Sequence, residues 1–248
     1  DLKLYHSRHW HRRLRGMDFP ELAEGRLVKR YKRFIADVRL SATSDLICAH
    51  CPNTGAMTGC QPSGGKIWLS FHDAQHRKFK WTWELVETDT GLVCVHAALA
   101  NRVVAEAIEH GFFAFLWPTE APWCREKPLG ARSRADFFID WKQGVFIEVK
   151  AVSLHLGEGE GAFPDAVSTR ATKHLCELVA ARQKGYRVLL IFCVMHTGIR
   201  VVSPAQHIDP AYAQHLEWAV ANGLEIYTLF NDITTSGIYP QRLVGVED

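Results

Sequence analysis

The stretch Tyr186 to Met195 (YRVLLIFCVM) is almost continuously apolar and rich in β-formers, and it limits the folds open to this chain more than any other feature. A strand with no alternating polar positions has no face to give to water. It must run through the middle of a sheet covered on both sides, normally by helices. The flanking sequence supplies them. Before it, Ala171, Leu175, Leu178 and Val179 form the apolar stripe of a helix that Ser168 or Thr169 caps and Gly185 ends. After it come a helix over 209–222 and a strand over 224–230. Upstream, Ala100, Val103, Val104, Ala107 and Ile108 recur at helical spacing, with Gly111 as the stop. The order helix, strand, strand, helix, strand, helix, strand describes an α/β layer around a mixed sheet.

The first part of the chain has a different grammar. From Leu27 to Glu87, short aromatic or alternating runs (VKRYKRFIADVRL, DLICAH, KIWLSFH, FKWTWELVE) are parted by turn clusters such as SATSD and QPSGG. Several strands so closely spaced predict a small barrel or five-stranded closed sheet, with Trp81 and Trp83 in its core. The grammar changes near residues 88–96. The expected division is a basic tail over 1–16, a barrel over 17–90 and the α/β layer over 91–248.

Two short strands in the second part carry the chemistry. In Val145-Phe146-Ile147-Glu148-Val149-Lys150 the period of two puts Val145, Ile147 and Val149 on one face and Glu148 with Lys150 on the other. The turn Trp141-Lys142-Gln143-Gly144 brings Asp136 of RSRADFFID alongside. Two adjacent carboxylates repel unless a cation lies between them, and hard oxygen ligands suit Mg²⁺ or Mn²⁺. The expected ligands are Asp136, Glu148 and the Val149 carbonyl. Lys150 would orient or deprotonate water and offset phosphate charge, as a metal-dependent nuclease requires. A surface ion pair on a solvated strand is the plainer account of Glu-x-Lys, but charges on an otherwise apolar strand pair need a reason to be there. No organic cofactor is expected.

Charge is unevenly spread. Net charge is +2, yet residues 1–33 hold ten Lys/Arg against four Asp/Glu, while 203–248 hold six acids and only Arg242. A basic front attracts polyanions. The run Lys29-Arg30-Tyr31-Lys32-Arg33-Phe34 interleaves bases with aromatics, which suits phosphate neutralisation with base stacking, and Arg30, Lys32 and Arg33 are read as solvent-facing. His50-Cys51-Pro52-Asn53-Thr54-Gly55 is either a turn scaffold or a ligand surface offering His50, Asn53 and Thr54. Arg132, Arg134, Arg170, Lys173 and His174 lie in sequence beside the acidic set or on the following helix, to clamp phosphate or to solvate that helix. Seven scattered cysteines, an odd number, argue for reduced thiols. Cys48, His50, Cys51 and Cys60 fit a closed zinc site poorly. Residues 1–16 show no period and no apolar run, and Met17 reads as a natural start; a cytoplasmic protein that does not enter membranes is expected.

This helix and strand order around Asp136, Glu148 and Lys150 resembles the PD-(D/E)XK nuclease fold. Seven spaced segments, EGRLVKRYKRFIADV (24–38), AHCPNTGAM (49–57), ALANRVVAEAI (98–108), RSRADFFI (132–139), IEVKAV (147–152), FPDAVSTRATKHL (163–175) and HIDPAYA (207–213), together resemble the sugar fermentation stimulation protein A family. The resemblance implies an N-terminal OB-like barrel followed by a restriction-endonuclease-like α/β domain. It implies DNA binding with a suspected nuclease activity, Asp136 and Glu148 as metal carboxylates, Lys150 as the catalytic lysine and Glu106 as an acid from the first helix. The chain departs from the family pattern at Ala56, where Arg is usual, and at Ala171, where Gly is usual.

Two functions follow. The first is a largely sequence-nonspecific DNA-binding protein, RNA being the other candidate, with a Mg²⁺- or Mn²⁺-dependent phosphodiesterase site. The second is a non-catalytic DNA-binding regulator of sugar (maltose-type) metabolism that keeps the nuclease fold. Oligomeric state is left open, a dimer included.

Overall fold

The computed structural model describes residues 16–130 and 133–245. After a two-residue strand β1 (Met17–Asp18), six strands follow in succession: β2 (Leu22–Tyr31), β3 (Ile35–Leu40), β4 (Leu46–His50), β5 (Lys66–Phe71), β6 (Trp81–Thr88) and β7 (Gly91–Cys94). Their order is β4-β3-β2-β5-β6-β7. β4 also pairs with β6, through Ala49 with Trp81 and His50 with Thr82, which closes five strands into a barrel. The alternation expected of half-buried strands is realised: Leu27, Val38, Ala49, Ile67, Leu69 and Trp83 fill the barrel, and the Trp83 indole N–H finds the Leu85 carbonyl at 2.9 Å. Trp81 packs at the edge of that core.

The second part runs α1 (Leu99–Glu109), β8 (Trp123–Pro128), β9 (Arg134–Ile139), β10 (Val145–Val152), β11 (Leu154–Gly157), β12 (Glu160–Phe163), α2 (Thr169–Gln183), β13 (Arg187–Val194), β14 (Val201–Pro204), α3 (Pro210–Ala221), β15 (Glu225–Ile233) and β16 (Gly237–Gly245). Seven strands form one sheet in the order β1-β16-β15-β13-β10-β9-β8. β10, β13 and β15 are parallel and the outer pairs antiparallel, so the sheet is mixed. The apolar β13 lies at its centre. Leu189, Ile191 and Cys193 face a core shared with α1, whereas Val188, Leu190 and Phe192 face a core shared with α2 and α3. Ser168 caps α2, its Oγ accepting the Ala171 N–H at 3.1 Å. The buried carboxylate of Asp209 caps α3 through Tyr212 N–H at 2.9 Å and accepts Ser168 N–H at 2.8 Å, tying the two helix starts together.

Three features differ from the sequence reading. Met17 belongs to the second part, where it is buried against the α1 core, so the barrel strands run from Leu22 to Cys94. Residues 154–163, which the sequence reading left unassigned, form a β11–β12 hairpin in a separate sheet, β11-β12-β14; strands of four residues are too short to leave a readable period. The strands β8 and β16 extend the large sheet at positions the pattern did not mark. The basic tail over 1–15 and Arg132 lie outside the described residues. Among the described residues no helix is long and apolar enough to cross a membrane.

Candidate active site

The β9–β10 hairpin pairs Ile139 with Val145, Phe138 with Phe146 and Phe137 with Ile147. Its turn requires Gly144, which has φ +83° and where a Cβ would lie 2.7 Å from the Phe138 ring. Val145, Ile147 and Val149 enter the α1 core, which sends Glu148 and Lys150 to the opposite face as their spacing dictates. Just past the last strand pair, Asp136 Oδ2 accepts the Val149 N–H at 2.7 Å. Its Oδ1 accepts from Asn101 Nδ2 of α1 at 2.7 Å.

Glu148 is 3% exposed. Its Oε1 accepts from Lys150 Nζ at 2.6 Å and from His174 Nδ1 of α2 at 2.5 Å, while Oε2 is buried with no hydrogen-bond partner among the described residues. Burial and the neighbouring charge of Glu148 push the Asp136 carboxyl above its ordinary value, although the Val149 N–H and Asn101 pull the other way. For Glu148 burial also raises the carboxyl, but the His174 hydrogen bond and the Lys150 charge outweigh it and the net shift is downward. The two carboxylates are thus driven apart, one reluctant to ionise and one held ionised, as in sites that divide roles between paired acids.

These groups form one wall of a cleft of about 1420 Å³ that runs between the barrel and the second part. Arg134, Arg170 and Lys173 line the same wall, exposed. The facing wall is built by the 50–55 loop of the barrel and by Arg33 and Phe34 from the β2–β3 turn. His50 and Thr54 face the cleft, and burial, then the charges of His96 and Arg77, lower the His50 imidazole's affinity for a proton. The Asn53 amide is committed to scaffolding: Nδ2 donates to Val95 O at 3.0 Å and Oδ1 accepts Gly55 N–H at 2.8 Å.

Three expected site residues, Glu106, Arg30 and Lys32, do not line the cleft. Glu106 does not line the cleft; it faces His110 of the same helix, 3.8 Å away. Asn101, five residues earlier, occupies the position expected of it, because at 100° per residue five steps along a helix turn a side chain about 140° away. Arg30 is half-buried and not solvent-facing. Its guanidinium donates to Asn53 O at 2.8 Å, Gly55 O at 3.0 Å and Arg33 O at 3.0 Å, bracing the 50–55 loop. Lys32 is exposed but lies outside the cleft. His174, expected among the flanking bases, is buried and holds Glu148 instead. Cys51 and Cys60 are buried free thiols, Cys48 is exposed, and no three His, Cys, Asp or Glu side chains converge as metal ligands among the described residues.

Residues 28–95 match the SfsA N-terminal OB domain, and residues 98–237 match the Sugar fermentation stimulation protein RE domain. The chain belongs to the sugar fermentation stimulation protein family. A homolog of that name from Pseudomonas paraeruginosa is 45% identical over 92% of this chain and 97% of its own length; one from a Marinomonas species is 44% identical over 83% and 80%. The solved structure described as Pyrococcus furiosus SfsA in complex with Ca²⁺ covers 94% of this chain and 98% of its own, with a TM-score of 0.82 at 23% identity. The barrel is therefore the family's OB domain, and the α/β part its restriction-endonuclease-like domain.

Proposed function

We propose that this family member binds nucleic acid with little sequence preference and hydrolyses phosphodiester bonds with a divalent cation held by Asp136, Glu148 and the Val149 carbonyl. The reading rests chiefly on Glu148 Oε2, a buried acceptor without a hydrogen-bond partner among the described residues, beside a carboxyl pushed above its ordinary value. A neutral core would leave neither in place, and a cation answers both at once. Two carboxylates and a backbone oxygen suit Mg²⁺ or Mn²⁺, which keep several positions for water or phosphate. Ca²⁺, the ion in complex with the Pyrococcus furiosus relative, is a hard oxygen-seeking cation of the same kind.

When bound, such a cation would lower the pKa of a coordinated water and polarise the phosphoryl oxygens. The chain's own residues do the rest. His174 fixes the rotamer of Glu148 by its 2.5 Å hydrogen bond, and Asn101 with the Val149 N–H fixes Asp136. Lys150, whose Nζ lies 2.6 Å from Glu148 Oε1, would offset phosphate charge and orient water beside a cation held there. Arg134, Arg170 and Lys173 neutralise the backbone along the same wall. They sit on a strand and at a helix start and form no set of Arg, Asn or Gln side chains aimed at base edges, so recognition is electrostatic.

The test is incubation of the protein with plasmid, linear duplex and single-stranded DNA in Mg²⁺, Mn²⁺ or Ca²⁺, beside Lys150→Ala. Cleavage in Mg²⁺ or Mn²⁺ that Lys150→Ala loses is the expected result. Salt-sensitive binding without cleavage in any metal would leave the non-catalytic regulator.

A further inference from the structure

We propose that Arg77 and His50 hold a backbone phosphate of the nucleic acid at the barrel edge of the cleft, on a polar face braced by Glu84; this rests on the nucleic-acid reading above and adds a contact on the wall opposite the carboxylates. Strand register sets the face. Ala49, Leu69 and Trp83 point into the barrel core, so their chain neighbours His50, Ser70 and Thr82 point out of it. Ser70 pairs with Thr82 and Thr82 with His50, which puts the three side by side across β5, β6 and β4. β6 carries one residue too many here: Trp68 pairs with Leu85 and Leu69 with Trp83, which leaves Glu84 as a bulge on the same outer face as Thr82. Glu84 is 4% exposed, and both its oxygens are engaged, Oε1 accepting from Ser70 Oγ at 2.7 Å and Oε2 from His96 Nδ1 at 2.6 Å. Ser70 gives its proton to Glu84 and so accepts from His72 Nε2 at 2.8 Å. Glu84 is a brace with no oxygen left for another partner.

Arg77 is the cation of this face that the brace does not reach. It is half-buried, and among the described residues its guanidinium meets no carboxylate; its side-chain bond is to Thr82 Oγ1 at 3.4 Å, which leaves most of its N–H donors over. His50 stands beside Thr82 on the next strand, roughly 5 Å away. Its ring makes no hydrogen bond among the described residues, and it lines the cleft, as do Ala97 and Ala98 next after His96. Guanidinium and imidazole therefore stand on either side of one threonine, at the cleft edge. The charge of Arg77 is felt there: after burial and His96, it lowers the proton affinity of the His50 imidazole, against the pull of Glu84. His50 then acts as a neutral N–H donor and Arg77 as the charge.

A half-buried guanidinium without a carboxylate is unfavourable until an anion completes it. A metal cation finds no free oxygen on this face. The planar fork of Arg77 matches two oxygens of one phosphate, with the His50 N–H for a third contact. A carboxylate of an acidic peptide would fit the same donors. Phosphate is favoured because the facing wall of the same cleft carries Arg134, Arg170 and Lys173 beside Asp136 and Glu148.

The experiment is fluorescence anisotropy with a labelled mixed-sequence duplex, in EDTA at neutral pH, across a series of salt concentrations. The proteins are the wild type, Arg77→Gln, Arg77→Lys, His50→Ala and, as a control at the exposed end of α2 and outside the cleft, Lys184→Gln. Arg77→Gln keeps a donor for Thr82 and removes the charge, so it should weaken binding and flatten the slope of log affinity against log salt by about 0.9, the share of one phosphate. Arg77→Lys should keep the wild-type slope. His50→Ala should weaken binding with the slope nearly unchanged, and Lys184→Gln should change neither. The slope belongs to the bound state, so a loss of stability alone does not move it. An unchanged slope in Arg77→Gln, or an equal change in Lys184→Gln, overturns the site and leaves the phosphodiesterase reading standing. Labelled polyglutamate that binds the wild type more tightly than the duplex and is lost in Arg77→Gln marks an acidic-peptide site and overturns the phosphate. No binding of the duplex by the wild type overturns both readings.

Discussion

The two walls of the cleft use polar side chains in opposite ways. On the barrel side donors and acceptors are spent on backbone: Arg30 and Asn53 together engage the carbonyls of Asn53, Gly55 and Val95. From across the cleft, Asp165 Oδ2 accepts the Met57 N–H at 3.1 Å and latches the chain just past that loop. On the opposite side Glu148 keeps a buried oxygen without a partner among the described residues, and the Asp136 carboxyl is pushed above its ordinary value. A satisfied wall is a scaffold and gains stability from being so. An unsatisfied one sacrifices stability, a cost that proteins accept mainly where a ligand is to be bound. The 50–55 loop shares both characters, with Asn53 holding the turn and His50 and Thr54 facing the cleft.

The contrast can be broken by substitution on either side. Lys150→Ala should lower metal-dependent cleavage by about 10²–10⁴-fold, the usual worth of a proton-handling or charge-offsetting group, while leaving DNA affinity nearly unchanged by anisotropy. On the scaffold wall, Arg30→Ala strips hydrogen bonds from several loop carbonyls and should cost about 2 kcal/mol in urea melts, whereas Lys32→Ala should stay within about 0.5 kcal/mol. Replacing Arg30, Lys32 and Arg33 together therefore destabilises the barrel and cannot be read as a pure binding test.

Gly55→Ala should cost about 1–2 kcal/mol, because its Cβ would collide with the Asp165 carboxylate. Much of that loss should vanish in an Asp165→Ala background, a non-additivity that a double-mutant cycle measures.

The smallest effect concerns pH. Asp136, raised by burial and by Glu148, contributes stability present below the ordinary aspartate value and lost as pH rises through its raised one. Metal-free Asp136→Asn should therefore gain on the wild type across that window. Glu148 is pushed up by burial but brought below its ordinary value by His174 and Lys150. Its contribution is present above the ordinary glutamate value and lost as pH falls through the lowered one, so Glu148→Gln should lose ground to the wild type as pH rises. Paired melts at stepped pH in EDTA check both signs.

The central frame was legible because burial wrote it into local periods. β13 had no polar position to spare, and β10 separated Val145, Ile147 and Val149 from Glu148 and Lys150 by alternation alone. What stayed hidden was set by contacts distant in sequence. The pattern of α1 marks its apolar stripe but does not say which polar flank meets the cleft, and the family resemblance pointed to the acid Glu106 and not to Asn101. Arg30 looked exposed because its partners lie 23 and 25 residues away. One signal was present and unused: His174 falls three residues after Ala171 and four before Leu178, on the buried stripe of α2. A titratable side chain there needs a buried partner, and Glu148 is that partner.

The most direct measurement is a calorimetric titration of Mn²⁺ into the wild type and into Asp136→Asn. Asparagine can still accept the Val149 N–H through its oxygen, and the Asn101 amide can turn to accept in its place, so the variant should fold while losing a charge from the cation's shell. Weak 1:1 binding to the wild type that is absent from Asp136→Asn is the predicted result. Equal Mn²⁺ binding by both proteins, or none by the wild type, would contradict a metal site at Asp136 and Glu148.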